Sequence, residues 1–241
     1  AQPAYDFAAE ICVNNGYSLS QEDRNLMAKA ASQVLAAILG DAAAGRYPAS
    51  DGRVTIISQP SARDAGVIAF TGHSVIFADA DPAWIASQLP ADDPFAGPLR
   101  PEFLAALARQ TGRVAHHCDM LACAAALPGP PAIELTPNAD PGHPRISRAL
   151  RYRDEVRTWE LPGGIVTTGR GIADRWEVAV EVDEQARGAG LGRTLATAAR
   201  HLVPGGAPLW AQIAPGNAAS VRAFLAAGFR PLGAECHLTL P

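Results

Sequence analysis

The chain has 241 residues, 48% of them hydrophobic and 18% charged, with a net charge of −4. That length accommodates one large domain or two small ones around a buried core, and the balance excludes a disordered chain. No unbroken apolar run is expected to span a bilayer, so the sequence reads as a soluble globular protein without a membrane partner. Cys12, Cys118, Cys123 and Cys236 are too few and too irregularly spaced for a disulfide framework, and they point to a reducing, by default cytoplasmic, compartment. No charged-then-apolar leader opens the sequence, and Ala1 in place of Met points to a start that was processed or that carries a scar of expression.

Charge is unevenly shared. Residues 1–144 carry 8 basic and 15 acidic groups, a balance of −7, and residues 145–241 carry 12 and 9, a balance of +3. A mildly cationic C-terminal part suits a small polyanionic ligand but lacks the density of a nucleic-acid surface.

In chain order, Ser20-Gln21-Glu22-Asp23 reads as a helix start. The apolar set Leu26, Met27, Ala30, Ala31, Val34, Leu35, Ile38 and Leu39 continues it at helical spacing to Gly40. Val54 to Ile57 reads as a strand, and Val67–Phe70 with Val75–Ala78 as a hairpin around Gly72-His73. Asp81-Pro82 and Arg100-Pro101 each place Pro at a helix start, predicting short helices around Trp84 and around Phe103 to Leu107. Six prolines between 128 and 144 give a linker composition, so the domain boundary is expected there: an N-terminal α/β region over 1–144 and a second domain over 145–241. Beyond it come a basic helical stretch (Arg145, Arg148, Arg151, Arg153) and strands at Val156–Leu161, Ile165–Thr168 and Trp176–Val182. A helix from Gly192 to Val203, a strand at Leu209–Ile213, a helix from Ala218 to Ala227 and a last strand near Cys236–Leu240 complete the chain. Alternation of strands and helices is an α/β order.

The chemistry-bearing segment is the strand Trp176–Val182 running into Asp183-Glu184-Gln185-Ala186-Arg187-Gly188-Ala189-Gly190-Leu191-Gly192. Glycines let consecutive N–H groups converge, and the following helix N-terminus adds partial positive charge, an arrangement suited to pyrophosphate. The spacing matches neither a P-loop nor a dinucleotide fingerprint. A nucleotide-binding enzyme of another class stays open as a third reading.

Arg187-Gly188-Ala189-Gly190-Leu191-Gly192 after a strand resembles the R-x-x-G-x-G/A motif of the GNAT superfamily of acyl-CoA-dependent N-acetyltransferases. Asn217-Ala218-Ala219-Ser220, followed by Val221 to Gly228-Phe229, is similar to that superfamily's closing helix. The resemblance covers about residues 150–241 and implies a mixed central sheet flanked by helices. Residues 1–144 carry no matching motif and stay open to being a degenerate duplicate.

The resemblance further implies that acetyl-CoA or a related acyl-CoA is the co-substrate and that no metal is used. Its pyrophosphate would rest on the amides of Gln185 to Gly192, with Arg187, Gly188, Gly190 and Gly192 in the motif. Its pantetheine would pair with the strand edge at Val180 and Val182, and Asn217 and Ser220 would lie near the thioester. Asn217 reads equally as a helix N-cap.

The implied reaction is direct attack of an amine, carried by a small molecule or peptide, on the thioester. An ammonium of pKa near 10 must first lose its proton, so a carboxylate base is expected. Glu177 and Glu181 lie on the strand face opposite Val178, Val180 and Val182 and are the candidates; a solvated face or a salt bridge to Arg is the other reading of both. In some branches of the superfamily the base lies nearer the strand start, where Asp174 stands. Many members carry a Tyr that protonates the leaving thiolate, at the position of Phe224 here. Ser220, Tyr152, Cys236 and His237 are candidate substitutes, and a catalytically weak acyl-CoA-binding regulatory module is the alternative function. His116-His117-Cys118-Asp119 with Cys123 lacks a second spaced pair and is not read as a zinc site. The acidic N-terminal part is expected to line the acceptor side and attract a cationic amine.

Overall fold

A computed structural model describes residues 20–90, 93 and 95–241; Cys12 lies outside the described residues. The helices are α1 (Gln21–Ala43), α2 (Pro82–Gln88), α3 (Pro101–Thr111), α4 (Pro144–Tyr152), α5 (Leu191–Ala199) and α6 (Ala218–Ala226). The strands are β1 (Arg53–Ile57), β2 (Ala65–Phe70), β3 (His73–Phe77), β4 (Val114–Ala124), β5 (Thr136–Pro137), β6 (Asp154–Leu161), β7 (Gly164–Arg170), β8 (Trp176–Val182), β9 (Leu209–Ile213) and β10 (Arg230–Thr239). The fold is mixed α/β, with parallel and antiparallel strand pairs. Two compact units divide the chain: Ala1–Asp119 with Gly233–Pro241, and Met120–Leu232. The Pro-rich segment 128–144 therefore lies inside the second unit, where Thr136 and Pro137 pair with β6.

In the first unit, Ser20 starts α1 through a capping box, its hydroxyl accepting the Asp23 N–H while the Asp23 carboxylate accepts the Ser20 N–H. By length and composition alone α1 qualifies to cross a membrane; Lys29, Ser32, Gln33 and Asp41 interrupt its apolar run, and its Ala31, Leu35, Ile38, Leu39 and Ala42 are buried in the protein. The expected hairpin forms from β2 and β3, β1 pairs parallel with β3, and β10 pairs antiparallel with β2. Ile85 of α2 and Phe103, Leu104 and Leu107 of α3 join Val67, Ile76 and Leu238 in one core. Buried Arg113 donates to the carbonyls of Ala62, Arg63 and Leu238 at 2.8–3.1 Å, so one side chain ties the segment before β2 to β10. His116 and His117 sit on β4, His116 bonded to Thr239 Oγ1 and His117 paired with Asp119 at 3.1 Å. Cys118, Cys123 and Cys236 are free thiols.

The second unit is built on the strand order β4-β9-β8-β7-β6-β5. Strands β6, β7 and β8 are antiparallel neighbours, whereas β8 and β9 run parallel with α5 as the crossover between them. On one sheet face Trp176, Val178 and Val166 pack with Leu195, Ala196 and Ala199 of α5 and Phe224 of α6. On the opposite face α4 buries Ile146 and Ala149, and Arg145 and Arg153 at its two ends reach the β8 glutamates.

Candidate functional site

Strand β8 is paired differently on its two edges. Along β7 it is held over its whole length, from Arg170 opposite Trp176 to Gly164 opposite Val182. Along β9 only Trp176 and Glu177 pair, with Leu209 and Trp210. The two parallel strands therefore part after Glu177. The Asp183 N–H donates to Gly163 O at 2.9 Å, on the β7 side. Because backbone groups alternate sides along a strand, those of Val180 and Val182 face the open edge. Half a ladder is left there for an extended amide-bearing chain to pair with.

At the mouth of this opening the chain turns through Gly188 and Gly190, both at φ +84°, which side-chain-bearing residues rarely adopt. A Cβ at Gly188 would meet nothing within 4 Å, and one at Gly190 only Arg193 Nη2 at 4.0 Å, so open space lies over the turn. Gly190 is the N-cap of α5 and supplies no side-chain cap. Among the described residues, no backbone carbonyl takes the N–H groups of Gly188 to Arg193; the first bond is Thr194 N–H to Gly190 O at 3.1 Å. A run of unclaimed donors at the positive end of a helix is matched to an anion. Arg187 donates through Nε to Val182 O at 3.3 Å, which ties it back to the end of β8. Gly192 instead faces α6, where a Cβ would lie 3.5 Å from Ala223 Cβ, an ordinary packing contact.

The two β8 glutamates share a face, as alternation requires, but not an environment. Glu177 is 3% exposed. Its Oε1 accepts from Arg175 Nε at 2.8 Å and Gln212 Nε2 at 2.9 Å, and its Oε2 from Arg153 Nε at 2.9 Å. Gly171 makes the room, because a Cβ there would fall on the Glu177 carboxyl. Glu181 has a side chain 43% exposed and accepts from Arg145 Nε at 2.7 Å. The salt-bridge reading thus describes both, with one partner remaining open to solvent and the other enclosed.

The other sequence-derived residues fall as follows. Asn217 caps α6, its Oδ1 accepting the Ser220 N–H at 3.1 Å. Phe224 is buried edge-to-face against Phe229, ring centroids 4.9 Å apart. Asp174 is exposed, at φ 59°, with its carbonyl accepting from Arg170. Tyr152 lies at the end of α4 under the Arg148 guanidinium. Cys236 and His237 belong to the first unit, and burial pushes the Cys236 thiol up to about 12. Sequence reasoning did not single out Arg175, Gln212, Gly171 or Arg193. Arg145 and Arg153 were visible only as members of a basic stretch, without their partners.

No family model matches the chain, and no curated protein matches it. Solved structures similar to it are GNAT-family N-acetyltransferases. A GCN5-related N-acetyltransferase from Kribbella flavida is 20% identical, covering 57% of this chain and 63% of its own, with a TM-score of 0.39. A GNAT-family acetyltransferase from Colwellia psychrerythraea is 11% identical, covering 58% and 63%, with a TM-score of 0.37. The chain spans less than two thirds of the length of each.

Proposed function

We propose that the second unit binds an acyl-CoA in the opening between β8 and β9 and transfers its acyl group to an amine. The observation that carries this reading is the free edge of β8 ending at a turn of unclaimed N–H donors. The pyrophosphate rests on Gly188 to Gly192, with Arg187 and Arg193 as nearby cations. The pantetheine amides pair with Val180 and Val182. Asn217 and Ser220, at the start of α6, flank that path.

An amine arrives as an ammonium and needs a base. Glu181 fills that role better than Glu177, because half-exposed Glu181 has one guanidinium partner while three donors occupy Glu177. Glu181 takes the ammonium proton, the neutral nitrogen attacks the thioester carbonyl, and the tetrahedral intermediate collapses to the amide as the thiolate leaves and the attacking nitrogen gives up its second proton to solvent. With Phe224 buried at the position of the usual acid, the thiolate departs unassisted; a thiol of pKa about 8.5 is a tolerable leaving group. That same phenylalanine favours the second reading, a binding module with weak turnover. The acceptor is a small-molecule or peptide amine.

Calorimetric titration with acetyl-CoA tests the binding. Gly190→Glu puts a carboxylate and a strained φ where phosphate must lie, and it is expected to abolish the heat of binding while the fold persists. Unchanged affinity in that variant would refute the site. Release of free CoA thiol in the presence of an amine panel separates the transferase from the binding module.

A further inference from the structure

In the first unit, the parallel pairing of β1 with β3 sets Arg53 opposite His73. Thr55, two residues on, shares that sheet face by alternation. The imidazole bridges the diagonal: His73 Nε2 lies 2.9 Å from Thr55 Oγ1, and His73 Nδ1 lies 2.9 Å from Asp51 Oδ1. Asp51 Oδ1 also accepts the Arg53 N–H at 2.9 Å, and the Gly52 N–H bonds to Gly72 O at 2.8 Å, closing the loop that presents the carboxylate. The His73 bond, followed by the Arg53 N–H, holds the Asp51 carboxyl below its ordinary value. A charged Asp51 fixes the proton on Nδ1 and leaves Nε2 as the acceptor for the threonine hydroxyl. Hydroxyl, imidazole and carboxylate in series are the arrangement that activates an oxygen nucleophile.

We propose that Thr55 is an acyl-accepting nucleophile activated by His73 and Asp51, acting on small acyl esters at the free edge of the first unit. Among the described residues β1 has a strand on one side only, so its outer edge offers backbone N–H donors to a developing oxyanion. The His73 side chain is 12% exposed and Thr55 is partly exposed, leaving the hydroxyl reachable while the base is shielded. In the first step the Thr55 proton passes to His73 Nε2, the Oγ1–acyl bond forms, and the ester C–O bond breaks as the alcohol takes that proton. In the second, water gives its proton to His73 and attacks the acyl-threonine. The carboxylic acid leaves, and the proton returns to Thr55.

The full chain is incubated with p-nitrophenyl acetate, p-nitrophenol release is followed, and an acetyl adduct is located by peptide mass spectrometry. The expected result is an adduct on Thr55, lost in the near-isosteric Thr55→Val and kept in Thr55→Ser, with turnover reduced about 10²–10⁴-fold in His73→Gln. A merely structural hydrogen-bond chain would give no Thr55 adduct. Absence of that adduct, acetylation of His73 instead, or equal turnover in Thr55→Val would overturn the proposal. Because the probe contains no CoA, Gly190→Glu is expected to leave this reaction unchanged, so its failure and that of the acyl-CoA site are read separately.

Discussion

The two ends of β8 carry the same residue type on the same face, four positions apart, and treat it in opposite ways. At the closed end, where β9 is still paired, Glu177 is enclosed and held by Arg153, Arg175 and Gln212. At the open end Glu181 shares one contact with Arg145 and keeps a solvent-facing oxygen environment. A carboxylate taken from water is tolerable only when paired and hydrogen-bonded, so the enclosed end spends its polar partners on holding the sheet together. The open end has spare backbone groups and a carboxylate open to solvent. The contrast teaches that residue identity and strand face do not assign a role; the second neighbouring strand does.

Substitutions at the two ends of β8 are expected to act differently. The largest effect is expected at the closed end: Glu177→Gln leaves two guanidinium groups without their counter-charge and should cost about 3–5 kcal/mol in urea unfolding. A loss as small as that of a surface substitution would mean the cluster is not structural. Next, Gly171→Ala drives a methyl into the Glu177 carboxyl and should cost about 1–3 kcal/mol by the same measurement. Asn217→Ala removes the α6 cap and should cost about 1 kcal/mol. If it also weakens acetyl-CoA binding, the residue serves both roles. The smallest stability effect is expected at the open end, where Glu181→Gln should stay within about 0.5 kcal/mol of the parent. Its amine-acetylation rate at neutral pH should nevertheless fall by about 10²–10⁴-fold, with cofactor affinity kept. A full rate in that variant would move the base elsewhere.

Much of the second unit was legible. The bounds of β8 and β9 follow from apolar alternation ended by turn residues, and the α5 start from its glycines. The α6 cap follows from Asn217, and Phe224 packs as its apolar face suggested. Strand β4 was not legible. Its first half carries His116-His117-Cys118-Asp119 and its second half a buried Leu-Ala-Cys-Ala run, so no single period describes its exposure. The last strand begins earlier than its apolar end implied, at Arg230. Burial of Glu177 was hidden too, because its partners lie 24 and 35 residues away as well as two residues away, and the space for its carboxyl comes from Gly171. Proline content marked residues 128–144 as irregular, which they largely are, but composition does not register that two of them pair with β6.

An acyl-CoA bound as proposed pairs with the edge of β8 that β9 leaves free. Residue-resolved amide hydrogen exchange, with and without saturating acetyl-CoA, tests it most directly. Exchange should slow at Val180, Val182 and Gly188 to Gly192 and stay unchanged at Trp176, whose edge is already taken by Leu209. Binding that leaves Val180 and Val182 exchanging at their free rates, or that protects both ends of the strand alike, would contradict the account.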